Sequence, residues 1–130
     1  MMKIQTEDAR TAFRPGDEVR GAVSWELPDE PRSVELRLVW FTTGIGTRDV
    51  GVVARLAFEQ PSASDRRDFA LTLPHGPYSF SGKLISLLWA LELVARDPDE
   101  VARLELMVSP TGREVLLHHE EEASPDEAAG

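Results

Sequence analysis

An antiparallel β-sandwich of the immunoglobulin-like kind, with about eight strands, is the fold class this sequence predicts. Three observations carry the prediction. Apolar residues recur at every second position in run after run, and the runs are separated by turns rich in Pro and Gly. The chain has 130 residues, the usual size of one domain, and such a chain buries roughly two-thirds of the surface it exposes when unfolded. It has no cysteine, so that core stands without a disulfide, and thiolate metal sites and cysteine nucleophiles are excluded.

The elements follow in order. Arg14-Pro15-Gly16-Asp17 is a strong turn. After it Val19, Gly21, Val23 and Trp25 face one way, and Glu18, Arg20, Ser24 and Glu26 the other. Pro28 and Pro31 bracket the next turn, and Val34, Leu36, Leu38 and Trp40 then alternate with Glu35, Arg37, Val39 and Phe41. That strand is apolar on both sides near its end, as a central strand or one that meets a partner would be. Thr43 to Thr47 connects to a run in which Val50, Val52, Ala54, Leu56 and Phe58 are expected on one face. The two runs make a hairpin. Pro61 to Arg67 is a polar loop, followed by Phe69, Leu71 and Leu73 in alternation and by the Pro74-His75-Gly76-Pro77 turn. Ala102, Leu104, Leu106 and Val108 form a late strand, and Pro110-Thr111-Gly112 turns into Val115-Leu116-Leu117.

Lys83 to Arg96 fits two periods. A strand would bury Ile85, Leu87, Trp89, Leu91 and Leu93, whereas a helix would present Leu84, Leu87, Leu88, Leu91, Val94 and Ala95 as one stripe of good helix formers. Propensity favours the helix. The all-β surroundings and the resemblance described below favour the strand, which is the expectation adopted.

Charge divides the chain into two parts. There are 14 basic and 23 acidic residues, for a net charge of −9. Glu120, Glu121, Glu122, Asp126 and Glu127 crowd the last eleven residues and leave residues 1–119 at only −4. The expected organisation is a sandwich over 1–119 and a disordered, solvating acidic tail over 120–130. An acidic balance argues against nucleic acid as a partner, which wants a basic face. The start lacks the apolar stretch of a signal peptide, and the longest apolar-rich stretch, Leu84 to Ala95, is shorter than the ~20 residues that cross a bilayer. A soluble, cytoplasmic protein without an integral membrane segment is expected.

Reactive chemistry is hard to assemble from these residues. His118 and His119 are adjacent and point to opposite faces of a strand, a poor chelating geometry, and His75 lies in a turn. Ser79 and Ser81 lack a nucleophile elbow. Gly44-Ile45-Gly46 reads as a hairpin turn and not a phosphate cradle. Asp97-Pro98-Asp99-Glu100 lacks the glycine and terminal glutamate of a calcium loop and reads as a polar turn. Trp25, Trp40 and Trp89 would form a carbohydrate platform if exposed, but each falls on the apolar face of its run and is expected in the core. No catalytic residue, metal ligand or cofactor is expected.

Two blocks of residues resemble the arrestin-fold family: arrestins, Vps26-type retromer subunits and Spo0M-like sporulation-control proteins. The first is Phe13-Arg14-Pro15-Gly16-Asp17-Glu18-Val19-Arg20-Gly21-Ala22-Val23, followed by the strand Val34 to Thr42. The second is Phe69-Ala70-Leu71-Thr72-Leu73-Pro74, then Gly76-Pro77-Tyr78-Ser79-Phe80-Ser81-Gly82 and a long strand with Trp89 at the family's aromatic position. The resemblance spans about residues 13–95 and implies one arrestin-like lobe acting as a non-enzymatic scaffold or adaptor. Classical arrestins have two lobes, and their phosphate-sensing lysines have no counterpart here, because only Lys3 precedes Lys83. Activation by a phosphorylated receptor is therefore not implied.

The apolar second faces exceed what one buried face requires. Val39 and Phe41 on one strand, with Leu84, Leu88 and Val94 on another, are the candidate interaction surface for a protein partner or a second copy in a homodimer. The competing class is a small-ligand carrier or enzyme on a β-barrel, which needs a cavity that a tryptophan-filled interior leaves little room for.

Overall fold

Strands dominate the computed structural model, which describes residues 1–44, 49–75, 80–81, 85–109 and 115–116. They are β1 (Met2–Thr6), β2 (Ala12–Phe13), β3 (Glu18–Glu26), β4 (Ser33–Gly44), β5 (Val50–Phe58), β6 (Ser64–Thr72), β7 (Phe80–Ser81), β8 (Ile85–Arg96), β9 (Glu100–Val108) and β10 (Val115–Leu116). The smaller sheet runs β1-β3-β6, all antiparallel. The larger sheet is built on β8, which pairs antiparallel with β4 along its whole length and with β9 and then β7 along its other side. β5 closes the far side of β4, and the short β2 and β10 join β9 and β7 in parallel. This is the predicted sandwich. The acidic segment 120–130, His118, His119 and most of the Gly76–Gly82 passage lie outside the described residues.

From Ile85 to Arg96 the segment with two periods is a strand. β8 turns Leu87, Trp89, Leu91, Leu93 and Ala95 to the core and pairs Trp89 with Trp40, Leu91 with Leu38 and Leu93 with Leu36. Its register with β4 places the core-facing side chains of both strands in one layer, which helix propensity cannot match. Facing that layer, the smaller sheet supplies Val19, Val23, Trp25 and Phe69. Trp25 and Trp89 are fully buried, and the Trp25 indole N–H donates to Ser62 O at 2.7 Å. The Trp25 ring meets Phe58 of β5 at a centroid distance of 6.0 Å, joining the two sheets at that end. Trp40 is half-buried against the same core.

The Arg14–Asp17 turn forms as the sequence predicts. The Asp17 N–H donates to Arg14 O at 3.0 Å, and Gly16 sits at φ 84°, which only glycine adopts without strain. Asp17 accepts from the Arg14 N–H at 2.9 Å and from the Arg10 guanidinium at 2.7 Å. Those bonds, the backbone one first, hold its carboxyl below the usual carboxylate range. Gly21 is needed for a different reason. The chain leaving β1 crosses so closely that a β-carbon there would stand 2.0 Å from Gln5 O.

β5 departs from the expected alternation. Its register with β4 shifts between Leu38 and Val39, so that Leu38 pairs with Ala54 but Val39 with Val52, leaving Val53 as the extra residue of a β-bulge. Ala54, Leu56 and Phe58 face the core as predicted. Val50 and Val52 do not: the bulge moves them to the outer face, where they are 68% and 42% exposed. Gly51 takes the inward position instead, because Trp40 fills the space a β-carbon would need.

Candidate interaction surface

The outer face of the larger sheet is set by the residues that alternate with the core. β4 contributes Glu35, Arg37, Val39 and Phe41, and the pairing registers place neighbours beside each of them. Val39 lies between Ala90 of β8 and Val52 of β5, and Phe41 between Leu88 and Val50. Val94 lies between Glu35 and Val101. The result is two apolar bands separated by a charged row, in which Glu92 faces Arg37 on one side and Arg103 on the other.

Charged groups in and beside that row, Glu35, Arg37, Glu92 and Arg103, are paired. Arg103 donates to Glu92 through Nε at 3.0 Å and Nη2 at 2.5 Å, and its guanidinium lies 4.7 Å over the Phe41 ring. Arg37 pairs with Glu35. Around the stacked pair a groove of about 160 Å³ is lined by Val39, Phe41, Thr42, Val50, Glu92 and Arg103.

Of the predicted surface residues, Phe41 and Leu88 are half-buried on this face, while Val39 and Val94 are buried within it at 2% and 6% exposure. Leu84 lies outside the described residues. The outer face thus brings together Val39, Phe41, Leu88 and Val94, and adds exposed residues that sequence reasoning placed elsewhere or passed over: Val50, Val52, Val53 and Val101. A signal for the first three was present. The Val52-Val53 doublet interrupts a strict alternation, and one extra apolar residue in an alternating run is what a bulge looks like in sequence.

The smaller sheet differs on its outer face. Lys3, Gln5, Glu18, Arg20, Ser24 and Glu26 are turned outward beside Arg66 and Asp68 of β6. Its β6 edge carries Asp65, Arg66, Arg67 and Asp68 in succession. Arg67 bonds Asp65 at 2.9 Å and also donates to Glu59 O at 2.9 Å. That side-chain bond is the main reason the Asp65 carboxyl is lowered. Charges along an edge discourage strand addition. β5, by contrast, has one charge, Arg55, in nine residues.

Chemistry elsewhere is sparse. His75 is exposed and packs its ring against the Gly16 turn. Asp99 accepts the Asp97 N–H at 3.2 Å inside the β8–β9 turn, and Glu100 pairs with the Met1 ammonium at 3.2 Å. A groove of about 350 Å³ between β1 and β9 is lined by neutral groups, among them Ile4, Gln5, Thr6 and Leu104. Among the described residues no helix is long and apolar enough to cross a membrane.

Among solved structures the chain is similar to Spo0M, a sporulation control protein from Bacillus subtilis. The TM-score is 0.59, with 20% identity over 83% of this chain and 48% of that one. The chain thus spans about half the length of Spo0M. At this identity the likeness is one of fold, and the fold is the arrestin-type lobe the two sequence blocks imply. A β-glucosidase from Listeria innocua aligns with a TM-score of 0.41 and 12% identity over 84% of this chain and 16% of its own, too low to indicate a shared fold. No family model and no curated protein matches the sequence.

Proposed function

We propose that this chain is a non-enzymatic protein-interaction module of the adaptor kind, and that the outer face of the larger sheet is its binding surface. The observation that carries the reading is the placement of Val50, Val52, Phe41 and Leu88 together on one face, open to solvent in part, while the opposite sheet turns charged groups outward. Exposed apolar residues scattered singly are ordinary, whereas a contiguous apolar patch rimmed by charge marks interaction sites. The fold supports the same reading, since an open sandwich offers unpaired strand edges for recruitment. The rival reading, a carrier or enzyme on a barrel, has less support. The interior between the sheets is filled by Trp25, Trp89 and leucines.

Site-specific photo-crosslinking tests the proposal. A photoreactive residue placed at Val52 or at Phe41 in the native host is expected to give covalent protein adducts, and one placed at Ser24 on the smaller sheet to give none. Adducts at Ser24 alone, or at no position, would overturn it.

A further inference from the structure

β5 reads Val-Gly-Val-Val-Ala-Arg-Leu-Ala-Phe and is the last strand of the larger sheet, with a neighbour on one side only among the described residues. We infer that Arg55 is a gatekeeper: its charge keeps this exposed apolar edge from stacking with further chains, at the expense of the stability of the fold. This role is separate from binding at the outer face and does not depend on it.

Arg55 sits where an arginine is unfavourable. The β4–β5 register sets it directly opposite Arg37, and like charges in that relation destabilise an antiparallel pair. The carboxylates nearby are taken. Glu35, opposite Ala57 and so diagonal to Arg55, pairs with Arg37. Glu92, on the far side of Arg37, pairs with Arg103. Arg55 itself is exposed and has no ion pair among the described residues. Neither packing nor pairing accounts for a charge at this position, and a neutral β-branched residue would suit the strand better.

What the charge does is divide the strand. Val50, Val52 and Val53 are exposed, three of the five large apolar residues that are so among the described residues. Without Arg55 the edge would present nine residues, 50–58, with no charge and no proline. Stacked β-segments that seed aggregation need about six or seven such residues. Arg55 leaves five on one side, 50–54, and three on the other, 56–58, each too short. Any chain that paired along β5 would also meet the unpaired guanidinium, a charge of the kind that blunts sheet edges. β6 spreads four successive charges, Asp65 to Asp68, along its edge; β5 relies on one.

Net charge alone gives the opposite expectation, which makes the role testable. The chain carries −9, so removing one arginine takes it to −9 − 1 = −10. A larger net charge favours solubility, whereas loss of a gatekeeper promotes aggregation.

The full chain and its Arg55→Thr, Arg55→Glu and Arg66→Thr variants are compared at equal concentration in two assays. Urea unfolding followed by tryptophan fluorescence reads stability. Light scattering and thioflavin T fluorescence after prolonged incubation read association. Arg55→Thr is expected to keep or raise the urea midpoint, because the repulsion from Arg37 is gone, and yet to lose soluble protein severalfold to thioflavin-positive aggregates. Arg55→Glu restores a charge at the same place and is expected to scatter like the unaltered chain. Arg66→Thr makes the same change of net charge on the β6 edge and is expected to scatter like the unaltered chain as well. Arg55→Thr protein that stays as soluble as the unaltered chain overturns the role. A lowered midpoint for Arg55→Thr overturns it too, because Arg55 would then be supporting the fold. Equal aggregation of Arg55→Glu or Arg66→Thr does the same. Photo-crosslinking at Val52 and Phe41 decides the outer face separately, because adducts there do not require Arg55.

Discussion

The two sheets contribute the same chemistry inward and different chemistry outward. Inward, Val19, Val23 and Trp25 from one sheet meet Leu36, Leu38, Trp89 and Leu91 from the other. Outward, the smaller sheet presents charge and ends in the charged β6 edge, whereas the larger sheet presents valines and Phe41 on either side of a row of paired charges and ends in β5. A shared core demands apolar residues from both sheets equally, so core packing cannot account for the difference. What differs is the environment each outer face is suited to: water for one, another chain for the other. β6 shows how this protein closes an edge when closure is wanted, and β5 lacks that device.

Substitutions separate what the core and each sheet contribute. Trp89→Ala should have the largest effect, because it empties the layer both sheets depend on. A loss of about 3–5 kcal/mol is expected, read by denaturant unfolding, with both sheets lost in one transition. Gly21→Ala should come next, at about 1–3 kcal/mol or more, since its β-carbon would stand 2.0 Å from the Gln5 carbonyl oxygen, a backbone atom. Gly51→Ala meets the Trp40 side chain at 2.3 Å and should cost less than Gly21→Ala in the same assay, because Trp40 is half-buried and can shift.

Acid should separate the sheets by a smaller margin. Asp17, in the turn that enters β3, and Asp65, at the start of β6, both have lowered carboxyl pKa values, through the Arg14 N–H and the Arg67 guanidinium respectively. A depressed folded-state value contributes stability that is present above the unfolded value of about 3.9 and lost as pH falls through the folded one. The thermal midpoint is therefore expected to fall below about pH 4, and amide exchange there should accelerate in β3 and β6 before β4 and β8. The smallest effect belongs to Arg66→Ala, which removes an exposed 3.2 Å pair with Asp68 and should change stability by less than about 1 kcal/mol.

Much of this was legible in the sequence because a period of two is a strong constraint. Alternation placed Val19, Val23, Trp25, Leu36, Leu38 and Leu93 in the core, and there they are. The Arg14–Asp17 turn was legible because proline presets φ at its first central position and glycine supplies the positive φ of the second. Lys83–Arg96 was ambiguous locally and was settled by pairing with β4, a long-range contact no single segment reveals. The candidate surface was legible in part. Surplus apolar residues on β4 and β8 flagged Val39, Phe41, Leu88 and Val94, but their exposure depends on neighbours in adjacent strands, which is why Val39 and Val94 are buried. Val50 and Val52 were assigned the wrong face, because one bulged residue reverses everything before it. β1 was missed as well: its five residues carry too few apolar positions to show a period.

Amide NMR signals of the isotope-labelled full chain, alone and in native-host extract, compare the two sheets in one sample and test most directly whether the outer face of the larger sheet is the binding surface. Signals of Val50–Phe58, Val50 and Val52 first, are expected to shift or broaden while those of Ser64–Thr72 do not change. Changes along β6 alone, or in neither strand, would contradict this reading.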